Sequence, residues 1–156
     1  MKAVSPLRLS RSWTLLVALL LCALPGIASA REIRLEAKLV WGTNDEKSPK
    51  KEHAPVDKAT AEKLRKVFKW KNYFIENKVV GTVPNRGSNL FKLSPQCTIE
   101  ITELEGPKVE VKLVGNGKAV HRMVKEIKKG EWFVYSGDDK NECAWFAIIT
   151  ELEDAK

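Results

Sequence analysis

From Arg31 to Trp41 hydrophobic and polar residues alternate with a period of two. Ile33, Leu35, Ala37, Leu39 and Trp41 share one parity, and Glu32, Arg34, Glu36 and Lys38 share the other. That spacing sends one set to a core and the other to water, so the segment reads as a half-buried strand. The next stretch, Gly42 to Pro55, is polar and has no apolar period; it reads as a long exposed loop. At Asp57 the period changes. Asp57 can cap a helix, Val56 and Ala61 are placed for a hydrophobic staple, and Ala61, Leu64, Val67 and Phe68 share one face. Lys58, Glu62, Lys63, Arg65 and Lys66 occupy the other face, with Glu62 and Lys66 at i,i+4 spacing for an ion pair.

Beyond Lys69 the pattern is β-like again, through Trp70, Tyr73, Phe74 and Ile75, and once more from Val79 to Val83. Pro84, Asn85, Arg86, Gly87 and Ser88 mark a turn, and Leu90 to Leu93 adds a short strand. Cys97, Ile99 and Ile101 alternate with Thr98, Glu100 and Thr102. After a break at Glu105, Gly106 and Pro107, Val109, Val111 and Leu113 alternate with Lys108, Glu110 and Lys112. Gly115, Asn116 and Gly117 tolerate the positive φ of a type I′ turn, so Lys118 to Val124 should fold back as a third strand, although its pattern is mixed. The Trp132 to Tyr135 and Ala144 to Ile149 runs flank a turn cluster at Gly137 to Asn141.

About eight strands and one amphipathic helix predict a mainly β domain, an antiparallel β-sandwich or a partly closed barrel. An up-and-down meander of the last five strands would leave Cys97 and Cys143 at the same end. Consecutive aromatics at 132 and 133, and at 145 and 146, put one ring on each face of the last hairpin. Both faces must then be covered, by a second sheet and the helix within the chain or by a partner.

The first 30 residues alter the balance of charge. Lys2, Arg8 and Arg11, an apolar run from Leu15 to Leu24 and the small residues Ala28, Ser29 and Ala30 resemble a secretory signal peptide cut before Arg31. The apolar run is shorter than the roughly 20 residues of a bilayer span. Leu21 is bulky for the position before a lipidated cysteine, which argues against lipid on Cys22. Cutting there leaves residues 31–156 as one β-rich domain and lowers the net charge from +7 to +4. Cys97 and Cys143 are the cysteines that remain, and in an exported protein they are expected to form a disulfide. The loop so closed, of roughly 45 residues, would be worth about 4 kcal/mol. The sequence has no Asn-x-Ser/Thr sequon, which favours a bacterial exported protein, periplasmic or secreted.

Little catalytic chemistry can be assembled from what is left. His53 and His121 have no cysteine or carboxylate at metal-ligand spacing, and Ser136 lacks the flanking glycines of a nucleophile elbow. Asp138, Asp139, Asn141 and Glu142 are oxygen donors, but they lack the alternation of a calcium loop and read as a hairpin turn. No cofactor is implied. Lys47 to Lys71 is the one concentration of charge, with nine basic residues against Glu46, Glu52, Asp57 and Glu62. Lys58, Lys63, Arg65, Lys66, Lys69 and Lys71 in this segment are the candidate contacts to an anionic envelope component or an acidic protein surface. Trp70, between two lysines, could stack on a base or sugar or be a core residue ringed by lysine stems. Export makes nucleic acid a poor partner. Trp41, Trp132 and Trp145 read as core and sheet-face residues.

The expected function is an exported, non-enzymatic binding or structural module of the cell envelope. Two alternatives stand beside it: an envelope-polymer hydrolase using a carboxylate pair invisible in sequence, and a small periplasmic enzyme inhibitor presenting the Gly42 to Pro55 loop.

Overall fold

The computed structural model describes residues 32–48, 50–138 and 143–153, all within the unit Arg31–Lys156. The signal-peptide reading of residues 1–30, and the turn acids at 139–142, lie outside the described residues. Among the described residues nine strands and one helix follow in the order β1 (Ile33–Thr43), β2 (Ala54–Pro55), α1 (Lys58–Val67), β3 (Asn72–Val83), β4 (Ser88–Lys92), β5 (Cys97–Glu103), β6 (Lys108–Gly115), β7 (Lys118–Glu126), β8 (Trp132–Asp138) and β9 (Ala144–Glu151). They form two antiparallel sheets packed as a β-sandwich, one ordered β2-β3-β1-β9-β8 and the other β4-β5-β6-β7. Among the described residues no helix is long and apolar enough to cross a membrane.

Strand β1 is the centre of the five-stranded sheet, paired on both sides, and its parity decides what lies on each face. Ile33, Leu35, Ala37 and Leu39 point between the sheets. There they join Val83 of β3, Ala147 and Ile149 of β9, Phe133 and Tyr135 of β8, and Phe91, Ile99, Ile101, Val109 and Val111 of the facing sheet. On the opposite face Glu36 holds Lys38 at 2.6 Å and Lys78 at 3.7 Å, so this half of the sheet is a charged surface in which Glu36 and Lys38 are half-buried and Lys78 is exposed. At Val40 the outer parity turns apolar. The register slips there, with Leu39 opposite Asn77 and Val40 opposite Ile75, and Glu76 is left as the extra residue of a bulge. From that point the outer face is dry, and a second core forms from Val40, Tyr73, Ala144, Phe146 and Ile148 under Val56, Ala61, Leu64 and Trp70. The two faces of the last hairpin are therefore covered within the chain, Phe133 by the second sheet and Phe146 by α1.

The helix starts where its cap allows. Asp57 Oδ1 accepts the Thr60 amide at 2.9 Å and its Oδ2 accepts the Thr60 hydroxyl at 2.7 Å; the amide bond is the main cause of a carboxyl pKa below its ordinary value. Val56 and Ala61 are both buried in the second core, as the staple requires. The Glu62–Lys66 ion pair expected from sequence is not closed among the described residues; both side chains point into water, where such a pair gains little.

Three further expectations are corrected. The five-strand meander breaks after β7: β5, β6 and β7 stay in one sheet, and the chain then crosses through buried Ile127 to pair β8 with β9 in the other. The residues 72–75 and 79–83 do not form separate strands, because β3 runs from Asn72 to Val83 and absorbs the break as the bulge at Glu76; Trp70 lies before it, outside any strand. The Gly42 to Pro55 loop is shorter than expected. Gly42 and Thr43 are buried in β1, Ala54 and Pro55 pair with β3, and the polar remainder is tied down by bonds from Lys71 N to Asn44 Oδ1 (3.2 Å) and from Asn72 Nδ2 to the Asp45 carbonyl (2.8 Å). The hairpin at Asn116 and Gly117 has the form expected, with φ of 49° and 76° between paired Gly115 and Lys118. The mixed pattern of β7 has a plain cause. It is an edge strand, and Met123 alone of its residues is even half-buried.

Both tyrosines of the chain sit in these cores. Burial raises Tyr135 to about 12, and burial also raises Tyr73, where the Arg65 charge only partly opposes it. Each phenol is held neutral by the fold. The stability gained is fully present below the ordinary tyrosine value of about 10 and is lost as pH rises through the folded value. An alkaline titration followed by ultraviolet absorbance should therefore show no tyrosinate until well above pH ~10, and then a rise coincident with loss of near-ultraviolet circular dichroism. Tyrosinate appearing at the free-tyrosine value in a still-folded protein would contradict the packing described.

Candidate functional site

The cations that follow the loop are carried by α1 and the turn after it. Because Ala61 and Leu64 face the sheet, Lys58, Lys63, Arg65 and Lys66 project outward, and Lys69 and Lys71 continue the same basic surface; all six are exposed. Among the described residues none of the six forms an ion pair. Four cations on the sheet faces behave differently: Lys38 and Lys78 meet Glu36, Lys112 meets Glu100 at 2.9 Å, and Arg122 meets Glu110 at 3.6 Å. Glu100 and Lys112 face one another directly across β5 and β6, whereas α1 carries basic residues in its last turn and no acid in its first.

Some of the six also have structural attachments. Arg65 Nε donates to the Lys71 carbonyl at 2.8 Å, Lys63 lies 5.6 Å above the Trp132 ring, and Lys69 lies 5.2 Å from the centre of Trp70. Trp70 itself is buried and packs edge-on against Phe146 at 5.6 Å, so it is a core residue and not a stacking platform. Val67, 73% exposed, is the apolar residue that α1 leaves in the middle of the basic surface.

The cysteines are not where the disulfide reading put them. Cys97 opens β5 in the four-stranded sheet, opposite Gly115. Cys143 precedes β9 in the other sheet, buried, with its thiol 3.6 Å from Thr43 Oγ1. The structure carries no Cys97–Cys143 disulfide, because the meander that would have aligned β5 with β9 is split between sheets. Cys97 is half-buried. Burial first, and the negative charge of Glu76 second, push its thiol pKa up, so it is poor as a thiolate nucleophile.

Between the sheets, beside Cys97, lies a cleft of about 550 Å³. Leu39 and Trp41 of β1, Trp145 of β9 and Glu76 of the β3 bulge form one wall, and Leu113, Val114 and Val120 the other, with Ser94, Gln96 and Asn116 at the rim. Neither the cleft nor the role of Glu76 was foreseen from sequence. They depend on two bulges, the one at Glu76 and a second that leaves Val120 unpaired between Ala119 and His121, and bulges leave no reliable mark on hydrophobic periodicity. A glycosidase-type reaction needs two carboxylates, and among the residues lining the cleft Glu76 is the only acid. His121 stacks edge-on at 5.3 Å from Tyr135, and His53 Nδ1 shares a hydrogen bond with Ser48 Oγ at 2.8 Å. Among the described residues no group of three or more His, Cys, Asp or Glu side chains could hold a metal ion.

In comparison with known proteins, no family model matches the chain, and no curated protein or solved structure is significantly similar to it.

Proposed function

We propose that the domain is an exported, non-enzymatic binding module of the bacterial cell envelope that docks an anionic envelope component against α1 and its flanking segments. Export rests on the signal-like residues 1–30. The observation that supports the docking surface is that six exposed cations, Lys58, Lys63, Arg65, Lys66, Lys69 and Lys71, are gathered on one helix and the turn after it and form no ion pair among the described residues. Clustered exposed cations create a positive field over that face, and a neutral fold gains nothing from holding them together.

The test is co-sedimentation with anionic and zwitterionic lipid vesicles and with an acidic polysaccharide, at low and high salt. Lys58, Lys66 and Lys71 are the residues to replace with glutamine, because Lys63 and Arg65 also contact Trp132 and the Lys71 carbonyl. The wild type should bind an anionic arm and release it with salt, since the field is screened over about 8 Å at physiological ionic strength. The triple variant should bind several-fold more weakly with its melting temperature within about 2 °C of wild type, because exposed charges contribute little to folding. Equal binding by the two proteins, or none by either at low salt, would overturn the proposal.

A further inference from the structure

The inter-sheet cleft has a different character from the basic surface. Its volume, about 550 Å³, falls in the range of small-molecule sites, and its walls are mainly apolar with a few polar groups at one side. We propose that it binds a small organic cation, an ammonium group carried on an apolar body, with Glu76 as the counter-charge and Trp41 and Trp145 as the aromatic walls.

Charge selects this class of ligand. No lysine or arginine is among the residues lining the cleft, and Glu76 is the one acid among them. The bulge in β3 places that carboxylate at the inner face, with about 30% of its side chain exposed, shielded enough to matter and open enough to be reached. The same negative charge is felt inside the cleft, since it helps to push the Cys97 thiol up. Burial is the larger cause of that shift and disfavours any charge, but the Glu76 contribution has a sign: it opposes an anion in the cleft and favours a cation. An ammonium already occupies the position: Lys50 Nζ lies 3.6 Å from Glu76 Oε1. Lys50 is well exposed, so it gains little from the contact and can yield to a ligand that also covers the indoles. Aromatic faces attract cations through the ring quadrupole, and Trp does so best. Leu39, Leu113 and Val120 then give the rest of the ligand an apolar lining, which an inorganic cation could not use.

The experiment is a nuclear magnetic resonance titration that follows the indole N–H signals of Trp41 and Trp145. The probes are phenyltrimethylammonium, its uncharged isostere tert-butylbenzene and the anion benzenesulfonate, each added to the wild type, Glu76→Gln and Lys50→Gln. The amide spectrum of each variant reports whether the fold is kept. Phenyltrimethylammonium should shift both indole signals and bind about three- to tenfold more weakly to Glu76→Gln, the scale of one partly exposed charge contact. Lys50→Gln, which removes the competing ammonium, should bind it at least as tightly as wild type. The neutral isostere should bind more weakly than the cation and respond to neither substitution, and the anion should leave both indoles unmoved. The proposal is overturned if the isostere or the anion binds as well as the cation, if a folded Glu76→Gln protein binds the cation unchanged, or if the cation moves neither indole signal.

Discussion

Phe146→Ala should lower the unfolding free energy by about 3–5 kcal/mol, the cost of removing a fully buried aromatic side chain and leaving the space it filled. Phe146 is completely buried in the core under α1, with ring centres of Phe68 at 4.7 Å, Trp70 at 5.6 Å and Tyr73 at 5.6 Å. Gly42, its neighbour on β1, leaves the ring its room: a Cβ there would come within 2.6 Å of Phe146 Cε2. The loss should therefore be felt first where the helix meets the sheet. Urea unfolding followed by circular dichroism gives the total, and hydrogen exchange at Lys58–Val67 tests whether α1 loosens at a lower cost than the inter-sheet core. Val67→Ala is the matched control, since Val67 is exposed and a surface change of this kind stays within about 0.5 kcal/mol. A shift below about 1 kcal/mol for Phe146→Ala would mean that α1 is not held through this ring.

The same ring shows what the sequence could and could not reveal. Adjacent aromatics at Trp145 and Phe146 were enough to require cover on both faces of the last hairpin, because strand parity is set by covalent geometry. The strict alternation of β1, the cap at Asp57 and the turn at Asn116–Gly117 were legible for the same kind of reason: each is a local rule satisfied by neighbours in the chain. Partition between sheets is not local. The strands β5 to β9 look like one meander because each is followed by a turn, yet nothing in the periods of β7 and β8 records that the chain changes sheets at Ile127. The disulfide expectation failed with the meander, since it rested on the two cysteine-bearing strands sharing a sheet.

The candidate sites divide in the same way. The basic surface was visible as charge density along one helix and its flanks, and the structure adds that its cations are exposed and not matched to acids among the described residues. The cleft was invisible, because it is assembled from six strands and two bulges whose residues are far apart in sequence. Trp41 and Trp145 fit the pattern of core and sheet-face residues, and they are partly that; each also lines the cleft.

Gly137→Ala gives the second large effect, and it links that cleft to the fold. Gly137 pairs across the hairpin with Trp145, and a Cβ at this position would lie 2.3 Å from Cζ2 and 2.5 Å from Cε2 of the indole. No real side chain tolerates that approach, so the methyl group must displace either the indole or the strand. The indole is a rigid bicycle and β8 is hydrogen-bonded on only one side, so both should move, at about 1–3 kcal/mol, the usual cost of overpacking. The displaced Trp145 should change the tryptophan emission and near-ultraviolet circular dichroism of the native state, and its movement should alter the cation affinity proposed for the cleft. Gly106→Ala separates this from a backbone effect. Gly106 has a φ of 79° with no atom within 4 Å of a built Cβ, so its substitution carries conformational strain of about 1 kcal/mol and should leave the Trp145 signals alone. If Gly137→Ala matched Gly106→Ala in stability and left the indole spectrum unchanged, Trp145 would not lie across Gly137, and the aromatic wall of the cleft would have to be redrawn.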